Sequence, residues 1–326
     1  MRFAGSGLPL GIDIGTTRVR IAQLEVQGSG RRLHRMIAFD LPQSPAARSA
    51  EAIGTAIAER LAELEIKERR CVCAVGEDEG TIRPIALPPM PARDRTRAAK
   101  YEASRLIGYP IEEALVRVQA LDPARNIFAV GIVRRAAFER KLAIVRAAGL
   151  RAVCIDHDAF ALRRAAPQAD AAIDVGLRCA RFYALRSAAP FGLVLAGGSA
   201  ELTHALERSL AIDFALAERR KRTLGLAGAG EGELLAFSSA IGQALLSARK
   251  HGVGEIQQIV LVGNGARLPG LLERLERDTG CSVELGGEPP VASSAYPSDV
   301  SRAGSPDWSL SIGLALWNSR SERAAS

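Results

Sequence analysis

Apolar and polar positions alternate over Leu8 to Gly15 and again over Arg18 to Val26, which predicts two β-strands joined by a tight turn at Thr16 and Thr17. Helical spacing follows. Ile53, Ile57, Leu61 and Leu64 recur at three- and four-residue intervals within Glu51 to Ile66, an amphipathic helix with its charges outside. Cys71 to Val75 reads as a buried strand, Pro84 to Pro91 as a proline-rich connection, and Arg93 to Leu106 as a helix stopped near Gly108 and Pro110. Asn126 to Val133 predicts another strand, and Arg135 to Ala148 a helix closed by Gly149. Further on come helices near Ala200 to Leu210 and Gly232 to His251, with the basic segment Arg219 to Arg222 between them. The strand Ile256 to Val262 runs through Gly263, Asn264, Gly265 and Ala266 into a helix over Pro269 to Thr279, with Leu271, Leu272 and Leu275 inward and Gly280 as its stop. Gly286 to Pro306 is rich in Gly, Pro and Ser and predicts a mobile loop; Ser319 to Ser326 predicts a frayed tail. Strands alternating with helices put the chain in the α/β class.

One pattern has a longer period. Ile12-Asp13-Ile14-Gly15 recurs, half the chain later, as Ile173-Asp174-Val175-Gly176, and at the same offset Arg20 matches Arg181 and Leu24 matches Leu185. The likeness therefore extends through the following strand, and two duplicated domains are expected, each opening with a strand, a turn and a returning strand.

Composition narrows the function. With 326 residues, 48% of them hydrophobic, the chain can bury the cores of two domains of ordinary size. The net charge is +7, but 36 acidic residues are interspersed among 43 basic ones and no aromatics interleave the basic runs Arg93 to Lys100 and Arg219 to Arg222. Solvated helix faces are expected there, and no nucleic-acid partner. The five cysteines contain no CxxC pair, which excludes a disulfide framework or zinc site and fits a reducing compartment. Cys71 and Cys73 share one strand face as small buried hydrophobes. His34, His157, His204 and His251 lack ligand spacing and are read as structural. The N-terminus does not read as a signal peptide, and no stretch approaches the ~20 apolar residues of a spanning helix. A cytoplasmic protein is expected, peripheral at a membrane only through a partner.

The turn Asp13-Ile14-Gly15-Thr16-Thr17 carries what a phosphate contact needs: a glycine allowing close backbone approach, turn amides, and two hydroxyls. Asp13 is suited to holding Mg²⁺ through water, and Arg20 could add positive charge. The segment Gly263 to Ala266, where a β-branched strand meets a helix through small residues, suits a flat adenine or an α-phosphate laid against backbone.

In this order and spacing the three loops resemble the phosphate and adenosine motifs of the superfamily that holds actin, the heat-shock chaperone ATPases and the sugar kinases. Within it the chain is most similar to the PilM family, cytoplasmic actin-like proteins of type IV pilus assembly. The stretches that carry this are Gly11 to Thr17, Ile85 to Met90, Ala147 to Leu150 with Asp156 and Phe160 to Leu162, Gly265 to Leu271, and Ser311 to Leu316, so the resemblance runs from about Leu8 to Trp317. It implies the actin-like ATPase fold, with two duplicated ribonuclease H-like domains over 8–165 and 170–318 and a 319–326 tail. The first would carry a 1C-type insertion at about 76–133, and the second a 2B-type part at about 199–255. It further implies ATP with Mg²⁺ bound by Asp13, Gly15, Thr16, Thr17 and Arg20, by Asp174, Gly176, Gly197 and Gly198, and by Gly263, Gly265 and Ala266. Asp13 and Asp174 would hold the metal through water, and Glu218 and Lys221 would reach ribose and adenine. The implied function is a nucleotide-binding scaffold that grips the short cytoplasmic tail of a PilN-like inner-membrane protein, with pilus motor ATPases as further partners.

Three departures qualify this. Leu177-Arg178-Cys179 stands where small or hydroxyl residues are usual after the second D-x-G, Asn264 replaces a glycine, and Arg20 stands where lysine is common. Slow or absent hydrolysis is therefore expected. A sugar or small-molecule kinase, with Asp156 or Asp158 from a connecting segment as base, is the first alternative; FtsA-like and GspL-like proteins of the same fold are the others. Arg83, Arg93, Arg95, Arg97 and Lys100 are expected to cluster beside a peptide groove walled by the insertion.

Overall fold

The computed structural model describes residues 8–27, 30–42, 44, 48–195, 197–226, 228–286 and 306–318. The expected loop after Gly286 and the expected C-terminal tail lie outside these residues.

The first half opens with β1 (Leu10–Ile14), β2 (Arg18–Gln27) and β3 (Gly30–Asp40), an antiparallel meander. Helix α1 (Ala50–Glu63) leads to β4 (Arg70–Val75), and the sheet is completed much later by β8 (Arg151–His157), giving the order β3-β2-β1-β4-β8. Strand β3 corrects the expectation that a helix follows the first hairpin directly. It is an edge strand whose polar residues stay half-exposed, with only Leu33 and Ile37 buried, so it lacks a two-residue alternation.

Between β4 and β8 lies the inserted piece. It comprises β5 (Gly80–Ala86), α2 (Ala92–Ser104), β6 (Ala114–Asp122) and β7 (Ile127–Arg134), a sheet of order β5-β7-β6, followed by α3 (Arg135–Ala147). Pro84 sits inside β5, not in a connection, and it is tolerated because β5 is an edge strand that need not donate outward.

Helix α4 (Asp158–Ala165) crosses to the second half, where β9 (Ala171–Val175), β10 (Ala180–Ala184) and β11 (Phe191–Leu195) repeat the meander. Helices α5 (Ser199–Leu210), α6 (Phe214–Leu224) and α7 (Glu231–Lys250) precede β12 (Gln258–Val262), α8 (Leu271–Thr279) and β13 (Ser282–Leu285). The order β11-β10-β9-β12-β13 reproduces the first sheet: three antiparallel strands, then two parallel ones. The duplication read from the first turn and its returning strand thus extends to the whole sheet.

Helix α9 (Ser309–Ala315), which the expected boundary assigns to the second domain, lies on the first sheet. Trp308, Ile312 and Ala315 bury against Ala22, Leu24 and Leu33. Gly11 is required there: a methyl group would run into the backbone of Ser311 and Ala315. Helix α4 lies between the halves, Ala161 meeting Val72 and Leu314 on one side, Ala159 and Leu162 meeting Ala172, Tyr183 and Val260 on the other. These contacts fix the two sheets on either side of one cleft.

Candidate functional site

The cleft has a volume of about 760 Å³, within the range of small-molecule sites. Both duplicated turns reach it. Asp13 near the end of β1 pairs in register with Arg20 on β2, and Asp174 near the end of β9 pairs in the same way with Arg181 on β10. The tips Thr16-Thr17 and Leu177-Arg178 line the cavity, as do Gly15 and Gly176.

The two aspartate–arginine pairs differ in detail. Arg181 is a bridge: its Nη1 donates to Asp174 at 2.9 Å and its Nε to Asp78 of the insertion at 2.7 Å. Arg20 instead turns its Nε and Nη2 to Asp307, at 3.1 and 2.9 Å, and comes no closer than 3.8 Å to Asp13. Asp307 also accepts from Arg267 at 3.2 Å. The positive charge expected of Arg20 is thus largely matched by a carboxylate.

Burial raises the pKa of Asp13 against the pull of Arg20, and the Asp174 charge across the cleft raises it further. Burial likewise raises Asp174 while Arg181 opposes it. Two carboxylates that repel each other across a cavity are a natural place for a cation.

The third motif is placed differently from expectation. Gly263 and Asn264 line the cleft, and Gly263 has φ +83° with a Cβ position only 2.5 Å from Asp174 Oδ1. Gly265 packs on β9 instead, its Cβ position 2.6 Å from Val175 Cγ1, and Ala266 is buried in the second core. Gly198 packs under the second turn, where a Cβ would stand only 2.6 Å from the Cys179 amide nitrogen, with Gly197 beside it. These residues shape the loops but do not form the cavity wall.

Glu218 on α6 faces the cavity and Lys221 does not. The Lys221 ammonium is buried, 2.7 Å from Ser199 O, 2.6 Å from Thr203 Oγ1 and 2.7 Å from Glu218 Oε2. Burial lowers its pKa. Against its own burial, Glu218 is held below the usual carboxylate range by Lys221 and Thr203. Lys221 therefore positions Glu218.

Two cleft residues lie outside the expected set. Asp158, nominated only for a kinase alternative and read as part of a connecting segment, is the first residue of α4, with Asp156 inside β8. The apolar run Ala152 to Ile155 before them was the available signal for a strand. Burial pushes the Asp158 carboxyl up to about 7, with Arg181 and His157 opposing, and Tyr183 Oη lies 3.4 Å away. Lys141 on α3 also lines the cleft, 3.2 Å from Glu79. His157 is structural as expected: Nε2 donates to Gly80 O at 3.1 Å, and Nδ1 accepts from the Ala159 amide.

The Asp158 shift has a pH consequence. Its proton is bound more tightly folded than unfolded, so its contribution favours the fold fully below pH 4 and is lost as pH rises through about 7. Asp158→Asn is expected to match the wild type near pH 4 and to exceed it in denaturant midpoint at pH 8. Equal midpoints at both pH values would show that the carboxyl ionises freely.

The basic cluster expected beside the insertion is divided. Arg83 is drawn inward, donating to Glu77 at 2.9 Å and to Gly192 O at 2.8 Å, and lies over the Phe191 ring at 5.1 Å. Arg95 covers Phe128 at 5.4 Å. Arg93, Arg97 and Lys100 remain exposed on α2. The cysteines are free, and no helix among the described residues is long and apolar enough to cross a membrane.

Comparison with known proteins agrees with this architecture. A solved structure of a PilM–PilN type IV pilus biogenesis complex matches with 25% identity and a TM-score of 0.81, over 96% of this chain and 98% of that one. The ethanolamine utilization protein EutJ from Carboxydothermus hydrogenoformans matches with 14% identity and a TM-score of 0.54, over 95% and 89% of the two chains. The fold is the actin-like ATPase fold. The family model described as type IV pilus assembly protein PilM matches residues 11–318, and the chain belongs to that family.

Proposed function

We propose that the cleft binds ATP with Mg²⁺ and that the chain is an adaptor of type IV pilus assembly, docking the short cytoplasmic tail of a PilN-like inner-membrane protein. The observation that carries the nucleotide reading is the pair of matching turns, Asp13 to Thr17 and Asp174 to Arg178, on opposite walls of one cavity that also receives Glu218 and Asn264. The residues fit the ligand. Both turns reach the cleft through a glycine, two carboxylates are raised by burial, Asp13 further by the Asp174 charge and Asp174 further by that of Asp78, and a third is held in its ionised form where a ribose would need an acceptor. Asp13 and Asp174 would hold the metal, which supplies charge neutralisation to the phosphates. Thr16 and Thr17 would donate to phosphate oxygens, and Glu218, braced by Lys221, would accept from the sugar.

Hydrolysis on this reading is slow. The first turn offers two hydroxyls, whereas the second offers Leu177 and a Cys179 whose thiol is kept protonated by burial. A missing donor typically lowers a rate by about 10² to 10³. Single-turnover phosphate release from the wild type is expected to be very slow and to quicken in Leu177→Ser/Cys179→Thr. Brisk release by the wild type, abolished by Asp174→Ala, would show the second turn competent as it stands.

The docking reading rests on family membership and on the PilM–PilN complex that the chain resembles along its length. Removing all of 76–133 is a poor test, because Gly76, Asp78 and Glu79 form part of the cleft wall. Ala86 and Ile127 are cross-strand partners, so the segment between them can be replaced by a short glycine turn while β5 and β7 stay paired. That excision is expected to abolish capture of the tail peptide and to retain nucleotide binding. Undiminished capture would place the docking site elsewhere.

A further inference from the structure

From the exposed face of α2, we infer a direct electrostatic contact with an anionic lipid surface. Arg93, Arg97 and Lys100 follow one another at four- and three-residue spacing, so they share one exposed face of the helix, about a quarter-turn round from the buried Ala99 and Ala103. Arg105 flanks this face just past the helix end, and Tyr101 and Leu106 are left 68% and 44% exposed beside it. The cations are poorly neutralised. Arg93 and Arg105 come no nearer than 3.8 and 3.7 Å to Asp94 and Glu102, with their own side chains 85% and 68% exposed, and such contacts contribute little.

The chemistry of the face fits a plane of charge better than a shaped partner. Its cations stand on a projecting helix ridge and not in a pocket, and none is held in a fixed geometry by a buried group. An exposed tyrosine and leucine among basic residues suit the headgroup boundary, where an aromatic ring keeps its hydroxyl wet. Each cation near such a surface is worth roughly a fivefold gain in partitioning. Four give several hundredfold, enough to hold the chain on a strongly anionic surface and, in addition, to orient and retain it beside a membrane-anchored partner. The inference adds a lipid contact to the proposed docking and does not require that the cleft bind nucleotide.

Vesicle flotation of the full chain tests it, with neutral phosphatidylcholine vesicles and with the same vesicles containing phosphatidylglycerol. Flotation is expected only with the anionic vesicles, falling steeply with added salt. Arg93→Glu/Arg97→Glu/Lys100→Glu is expected to lose about a hundredfold or more in partitioning at an unchanged melting temperature. Arg219→Glu/Arg220→Glu, on α6, is expected to behave as wild type. The inference is overturned if the wild type ignores anionic vesicles, if the α2 variant floats as well as wild type, or if the α6 variant loses as much. A wild type that ignores the vesicles but binds polyglutamate through α2 would assign the face to an acidic protein.

Discussion

Arg181→Met is expected to lower the free energy of unfolding by about 2–3 kcal/mol at neutral pH. The guanidinium lies between Asp174 of the second sheet and Asp78 of the insertion. Its own burial disfavours the charge, yet Asp174 and the other anions around it hold its pKa raised. Removing it leaves two carboxylates facing each other without a counter-charge, for which fully buried cases cost about 3–5 kcal/mol. The lower figure applies because Asp78 is 40% exposed and can turn to solvent. Urea unfolding checks the value, and Asp78→Asn in the same background should restore part of it. A loss under about 0.5 kcal/mol, typical of an exposed pair, would show that the bridge does not join the halves.

The bridge also explains how the insertion is tied to the rest. Glu77 sends its amide to Tyr183 Oη at 3.2 Å, Arg83 reaches Gly192 O, and Asp78 takes Arg181. Each contact runs from the root of the insertion to the second sheet. None was visible in the sequence, because side chains far apart along the chain meet only after the sheets are set.

What was legible came from local pattern and repetition. The β1–β2 hairpin, α1, α3, α5, α7, α8 and the strand before Gly263 follow from apolar spacing and from stop residues such as Gly149 and Gly280, both at positive φ. The matched Asp13–Arg20 and Asp174–Arg181 pairs were readable as an offset, and the sheets make both cross-strand neighbours. Edge strands were missed where burial is one-sided or interrupted: β3 by its basic residues, β5 by Pro84, and β13 by its shortness. Asp158 was misplaced because β8, half-buried along its length, carries no two-residue alternation. Sequence pattern also does not tell a glycine that opens a cavity from one that permits packing, which is why Gly265 and Gly198 joined the candidate list beside Gly15 and Gly263.

The nucleotide reading makes Asp13 the most consequential single residue of the cleft. Its carboxyl lines the cleft, faces Asp174, and comes only within 3.8 Å of Arg20, which gives its hydrogen bonds to Asp307 instead. Asp13→Ala removes one of the two carboxylates assigned to the metal while relieving repulsion with the other, so the folded chain should persist as ligand affinity falls. Isothermal titration of the full chain with ATP and Mg²⁺ measures this directly, with melting temperature as the check on folding. Saturable, Mg²⁺-dependent binding by the wild type, weakened at least tenfold in a folded Asp13→Ala, a loss of about 1.4 kcal/mol, is the expected result. Wild-type protein that takes up no nucleotide, or a folded variant that binds as tightly, would contradict it.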